Sequence, residues 1–193
     1  MFINDWRKEV FTIPNLLSVF RLALIPVYMS VYLNARFPGQ YYCAGGILAV
    51  SCATDAVDGK IARRCNMIST LGKILDPLAD KITQFTVILC LSVKVPSLRT
   101  VLILFVVKEL FQLVTGAVFL RHRKMLPGAL MAGKICTTVL FISLILLVLF
   151  PTLPAFAVHI LSALDTVFLV LSFISYILAY FGKHTKVQDM DAG

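Results

Sequence analysis

The chain has 193 residues, of which 59% are hydrophobic and 15% charged, with a mean hydropathy of +0.89 and a formal net charge of +8. A soluble globular domain carries about 25% charged residues, so this composition excludes one and indicates a polytopic membrane protein. The positive charge is spread over membrane-flanking loops instead of one soluble surface, which argues against a nucleic-acid partner. The five cysteines form no C-x-x-C pair, and none of the three histidines has a second His or Cys at zinc-ligand spacing.

The first twelve residues contain Phe2, Trp6 and Val10 at i, i+4, i+8 with charges between them. That spacing predicts a short interfacial helix on a membrane surface. Six apolar stretches follow, at 13–33, 40–61, 74–94, 98–120, 132–150 and 154–181. Each approaches the length that crosses a bilayer as helix. The expectation is an all-α protein: an N-terminal interfacial segment at 1–12, one domain of six transmembrane helices over 13–182, and a polar tail at 183–193.

Twelve Lys and Arg residues fall in the N-terminus, the loops after spans two and four, and the C-terminus, against three on the other side. Basic residues collect on the cytoplasmic face, so both termini are expected there, with the protein integral to the cytoplasmic membrane. Arg21, Lys81 and Lys108 fall inside spans.

In the first span Asn15, Ser18 and Arg21 recur at i, i+3, i+6, a spacing that puts them on one helix face. Arg21 lies deep for a side chain that merely reaches back to the interface.

The chemistry concentrates around the turn between spans two and three, also on the cytoplasmic side. Asp55 and Asp58 are i, i+3 neighbours, and Asp76 and Asp80 are i, i+4 neighbours, so each pair shows two carboxylates on one helix face. A chain reversal around Arg64 to Ser69 brings the pairs together. Four converging carboxylates repel one another unless a cation or shared protons intervene. Oxygen-only ligation favours a hard ion, Mg²⁺ or Mn²⁺, and four acids suit two ions better than one. Gly59 and Gly72 allow close approach, and Arg63 and Lys73 bring cationic donors for phosphate oxygens. Such a site fits a diphosphate whose bridging bond is to be broken.

The string Asp55-x-x-Asp58-Gly59-x-x-Ala62-Arg63, eight residues, then Gly72-x-x-x-Asp76-x-x-x-Asp80 resembles the signature of the CDP-alcohol phosphatidyltransferase family at every specified position. The resemblance implies that Asp55, Asp58 and Asp76 bind two divalent metals on the CDP diphosphate and that Asp80, close to the metals, is the general base. It further implies that Gly59, Ala62 and Arg63 belong to the CDP-binding part, beside Gly72, and that the enzyme is a homodimer. The implied reaction passes a phosphatidyl group from CDP-diacylglycerol to an acceptor hydroxyl and releases CMP.

The opening Pro14-Asn15-x-x-Ser18-x-x-Arg21 is similar to that of the glycerophosphate-transferring and cardiolipin-forming branches. Lys108-Glu109-Leu110 and Gly133-Lys134 resemble segments of the glycerophosphate-transferring branch, with departures. Lys108 replaces the usual arginine, Cys136 replaces a second lysine, and Gly116 stands where another arginine is expected. Asn15, Arg21, Lys108, Arg121 and Lys134 are the candidate acceptor-binding residues; for Lys108 and Glu109 an internal ion pair is the competing reading. The acceptor is expected to be glycerol 3-phosphate, with phosphatidylglycerol, as in a cardiolipin synthase, the alternative. Outside this class, an intramembrane prenyltransferase is disfavoured by the presence of only one acid-rich hairpin. A divalent-cation transporter is disfavoured by the lack of an internal repeat.

Overall fold

A computed structural model describes residues 13–64, 72–121 and 131–181. Within these ranges side chains are described for 15–54, 76–118 and 131–180. The expected interfacial segment, the turn after Arg64 and the C-terminal tail lie outside the described residues.

Six helices account for nearly all of the described chain: α1 (Ile13–Leu33), α2 (Pro38–Arg64), α3 (Gly72–Lys94), α4 (Leu98–Arg121), α5 (Met131–Leu149) and α6 (Ala155–Phe181). They match the six apolar stretches, and α2 runs past its stretch at both ends. Its start is set locally. Pro38 occupies the first helical position, where no backbone N–H is needed, and the Gln40 side-chain oxygen accepts from the backbone N–H groups of Arg36 (2.6 Å) and Phe37 (3.3 Å). The start of α6 uses the Pro154 carbonyl, which accepts from Ala157 and Val158 at 2.9 and 3.2 Å.

Among the described residues, four helices are long and apolar enough to cross a membrane: α1, α4, α5 and α6. The expectation of six spans is therefore met in four. The remaining two are α2, whose motif end lies outside the residues with described side chains, and α3, which holds Lys73, Asp76, Asp80, Lys81 and Lys94. Outward-facing apolar side chains such as Leu113, Phe156 and Leu178 are exposed, as lipid-facing positions are.

The chain divides into two compact units, and the divisions fall within α3 and near the end of α5 instead of in a linker. The first unit comprises α1, α2, α3 as far as Leu91, and the Leu147–Pro151 segment. Here α1 packs against α2, and Ala44, Leu48, Val87, Ile88 and Val148 form much of the buried interior. Tyr28 and Tyr32 stack at 5.6 Å between ring centroids, and Tyr41 meets Tyr32 edge-on at 5.5 Å. The second unit comprises α4, most of α5, and α6. In it α4 packs against α6, with Phe111 edge-on to Phe173 at 5.1 Å.

Candidate active site

The helical spacing of α1 does what its sequence predicts. Asn15, Ser18 and Arg21 are 5%, 0% and 2% exposed, while their neighbours Leu16, Val19 and Phe20 face outward. A buried polar stripe on a membrane helix needs partners. The partners are the acids of α3: Ser18 Oγ donates to Asp76 Oδ1, and Arg21 Nη1 donates to Asp80 Oδ1 at 2.6 Å. Arg21 Nη2 also stands 4.0 Å from Asp76 Oδ1. One guanidinium thus lies between two carboxylates one helical turn apart, a geometry that suits its planar fork. Arg21 is held inside the protein by these acids.

Asp76 and Asp80 share one face of α3, with side chains 40% and 47% exposed. They are fixed from behind by α1 and accessible in front. Between them, Ala79 is fully buried, so α3 turns its small residue inward where α1 approaches. Further along, Thr83 Oγ1 donates to the Ala79 carbonyl at 2.8 Å. Arg21, Tyr28, Ser51, Thr83 and Thr86 contribute to the lining of a small cavity of about 10 Å³ beneath this face.

Asp55, Asp58, Gly59, Ala62, Arg63 and Gly72 lie on α2 and at the start of α3, but their side chains are outside the described residues. The same holds for Arg121, at the end of α4. The donor set of the described half, two carboxylates oriented by a hydroxyl and a guanidinium, is all oxygen and suits Mg²⁺ or Mn²⁺.

The other candidate acceptor residues belong to the second unit. Lys108 is 2% exposed, and its Nζ donates to Glu109 Oε1 at 2.8 Å while lying 5.9 Å from the centre of the Tyr176 ring. This is the geometry of the internal ion pair weighed for it in the sequence. Lys134, in the first turns of α5, is exposed.

Two buried groups escaped the sequence reading. Asp165 of α6 is 1% exposed, with neither carboxylate oxygen in a normal hydrogen bond. An acid within an apolar run was the available signal. Tyr176, 8% exposed, falls on the same buried stripe of α6 as Ser162, Asp165, Leu169 and Ser172; a tyrosine at core spacing reads as simple packing.

Comparison with known proteins yields one family and a set of relatives. The family model described as CDP-alcohol phosphatidyltransferase matches residues 11–181. A protein of Aquifex aeolicus named CDP-diacylglycerol–glycerol-3-phosphate 3-phosphatidyltransferase is 35% identical over 137 residues, 70% of this chain and 73% of that protein. A CMP-forming cardiolipin synthase of Streptomyces coelicolor is 35% identical over 133 residues, 67% of this chain and 61% of that protein. A putative cardiolipin synthase of Mycobacterium tuberculosis is 46% identical over 81 residues, 42% of this chain and 37% of that protein. The match thus spans less than two thirds of the length of either cardiolipin synthase.

Proposed function

The chain belongs to the CDP-alcohol phosphatidyltransferase family, and on that premise we propose that it transfers a phosphatidyl group from CDP-diacylglycerol to glycerol 3-phosphate, releasing CMP and forming phosphatidylglycerophosphate. The observation that carries this reading is the arrangement of Asp76 and Asp80, side by side on α3 and braced by Ser18 and Arg21. A simple ion store has no need of carboxylates held at fixed orientation and open on one side.

In the proposed reaction, Asp80 takes the proton from the acceptor hydroxyl as its oxygen attacks the β-phosphorus of CDP-diacylglycerol. The new phosphorus–oxygen bond forms as the bond to CMP breaks, and CMP leaves with the bridging oxygen. Asp55, Asp58, Asp76 and Asp80 would hold two Mg²⁺ or Mn²⁺ ions, which when bound supply neutralising charge to the diphosphate. Gly59, Ala62, Arg63 and Gly72 form the CDP-binding part. Ser18 and Arg21 keep the α3 carboxylates aimed, and this preorganisation lowers the barrier without reorganisation during the reaction.

The membrane arrangement belongs to the same proposal: α2 and α3 complete a set of six spans, both termini and the aspartates face the cytoplasm, and the enzyme is a homodimer. The basic-loop asymmetry supports the orientation.

A second reading, phosphatidylglycerol as acceptor, is favoured by the relatives named cardiolipin synthase and by the burial of Lys108 in an ion pair, which leaves fewer cations for a small anion. The deciding experiment gives purified protein CDP-diacylglycerol, Mg²⁺ and, separately, glycerol 3-phosphate, phosphatidylglycerol or inositol phosphate. CMP release with glycerol 3-phosphate alone is expected. Release only with phosphatidylglycerol would replace the first reading by the second, and release with no acceptor would sink both.

A further inference from the structure

Tyr28 lies about two helical turns beyond Arg21 on the same buried face of α1. Its ring is buried and stacks on Tyr32, which accounts for the apolar part of the side chain. Its hydroxyl is buried too and, among the described residues, makes no hydrogen bond to a protein group. A buried phenol usually finds a partner, because leaving the hydroxyl unmet costs more than a made hydrogen bond gains.

Tyr28 and Arg21 line the same cavity, a space of about 10 Å³ to which α1, α2 and α3 contribute, all within the first unit. Ser51 of α2 and Thr83 and Thr86 of α3 are its other polar lining residues, and all three are buried. The rest of the wall is apolar, with Leu24, Ile25, Ile47, Leu48 and Val87. This volume is close to what one water molecule needs, and a protein interior retains a water where about two to four polar groups reach it. A cavity lined by apolar residues alone stays dry, whereas here each of the three helices supplies a polar one.

Arg21 connects this cavity to the acids. Its Nη1 and Nη2 are the atoms that meet Asp80 and Asp76, and Nε is a further N–H donor on the same rigid plane. A partner for Nε sets the tilt of that plane and so the direction from which Asp80 is braced.

We propose that a single water molecule occupies this cavity, accepting hydrogen bonds from Arg21 Nε and from the Tyr28 hydroxyl, so that Tyr28 is a positioning residue that acts on Asp80 through the water and Arg21. The water then has two hydrogens to donate, for which the Ser51 and Thr86 oxygens are on hand. The positioning role rests on the proposed part of Asp80 as base; the water site does not. In this role Tyr28 touches no reacting atom.

The test compares full-length protein in detergent with Tyr28→Phe, which removes one oxygen and keeps the ring. Where a water is held, the variant strips it of a partner: the unfolding temperature is expected to fall by about 3 °C and kcat for CMP release about fivefold, with the KM for CDP-diacylglycerol within about twofold of the parent. In a dry cavity the hydroxyl is an unmet polar group, and removing it raises the unfolding temperature. Val87→Ile adds a methylene to the cavity wall and should displace the water. It is expected to lower the unfolding temperature of the parent and to lower it less in Tyr28→Phe, where no phenol is left unmet. A structure of the parent at a resolution that shows ordered solvent is expected to place one water within hydrogen-bond distance of the Tyr28 hydroxyl. The route through Arg21 has its own readout. Added to Arg21→Met, Tyr28→Phe should lower kcat no further, whereas a side chain that only supports the fold would lower it again.

A raised or unchanged unfolding temperature in Tyr28→Phe, an equal effect of Val87→Ile in both backgrounds, or a cavity without ordered water overturns the water site. Parent-like kcat in Tyr28→Phe, or a full further loss when it is added to Arg21→Met, overturns the positioning role. Absence of CMP release by the parent protein would instead overturn the proposed function, and the thermal and structural readouts would still decide the water.

Discussion

Arg21 of α1 and Asp80 of α3 are 59 positions apart in sequence and joined by a 2.6 Å hydrogen bond between a guanidinium 2% exposed and a carboxylate 47% exposed. The burial is one-sided. The cation is sequestered and the acid remains accessible, which suits the proposed roles of Arg21 as a brace and Asp80 as the base.

Replacing Arg21 tests that support. Lysine is a point charge and cannot present two N–H groups in a plane toward Asp76 and Asp80. Arg21→Lys is expected to lower CMP release about tenfold and Arg21→Met about a hundredfold, the range for losing hydrogen bonds to charged groups. Parent-like turnover in Arg21→Met would show the brace to be dispensable.

The two acids of α3 should separate by phenotype. Asp80→Asn is expected to abolish turnover while largely retaining CDP-diacylglycerol binding, measured by equilibrium binding in Mg²⁺. Asp76→Asn and Asp55→Asn are expected to weaken the metal-dependent binding itself. Near-normal turnover in Asp80→Asn would remove it from the role of base.

The proposed metal dependence can be tested through Ser18, whose hydroxyl donates to Asp76. Chelation with EDTA should abolish CMP release, with Mg²⁺ or Mn²⁺ restoring it. Ser18→Ala should raise the Mg²⁺ concentration for half-maximal rate roughly tenfold, the usual scale for losing a hydrogen bond that orients a metal ligand. Full activity in EDTA would refute the metal site.

Lys108 bears on stability. Lys108→Met leaves Glu109, with a side chain 18% exposed, without this cation in an apolar helix. A loss of about 3 kcal/mol is expected from breaking one side of such a pair, read as a lower unfolding temperature in detergent. Adding Glu109→Gln should recover part of it. No change in unfolding temperature would show that the pair contributes little.

Much of this protein was legible in its sequence because the relevant signals are local. Apolar length located the six helices, and the 3.6-residue period placed Asn15, Ser18 and Arg21 on one face and Asp76 with Asp80 on another. Of the six helices, α1, α4, α5 and α6 are long and apolar enough to cross a membrane among the described residues, while the motif end of α2 lies outside the described side chains and α3 carries the charges of the motif.

The sequence by itself determined the helices, the spacing of the acids and the family, since each is written in intervals of three to eight residues along one chain. Only the tertiary structure decided which charges meet. It paired Ser18 with Asp76 and Arg21 with Asp80, turned Lys108 inward to Glu109 and Tyr176, and left Lys134 exposed. The physical reason is that a helical period fixes which residues share a face, whereas the partner of that face depends on how whole helices rotate and pack against one another. That rotation is set by the sum of many small contacts, among them the Tyr176 ring edge on Gly133, and no short interval of sequence carries it.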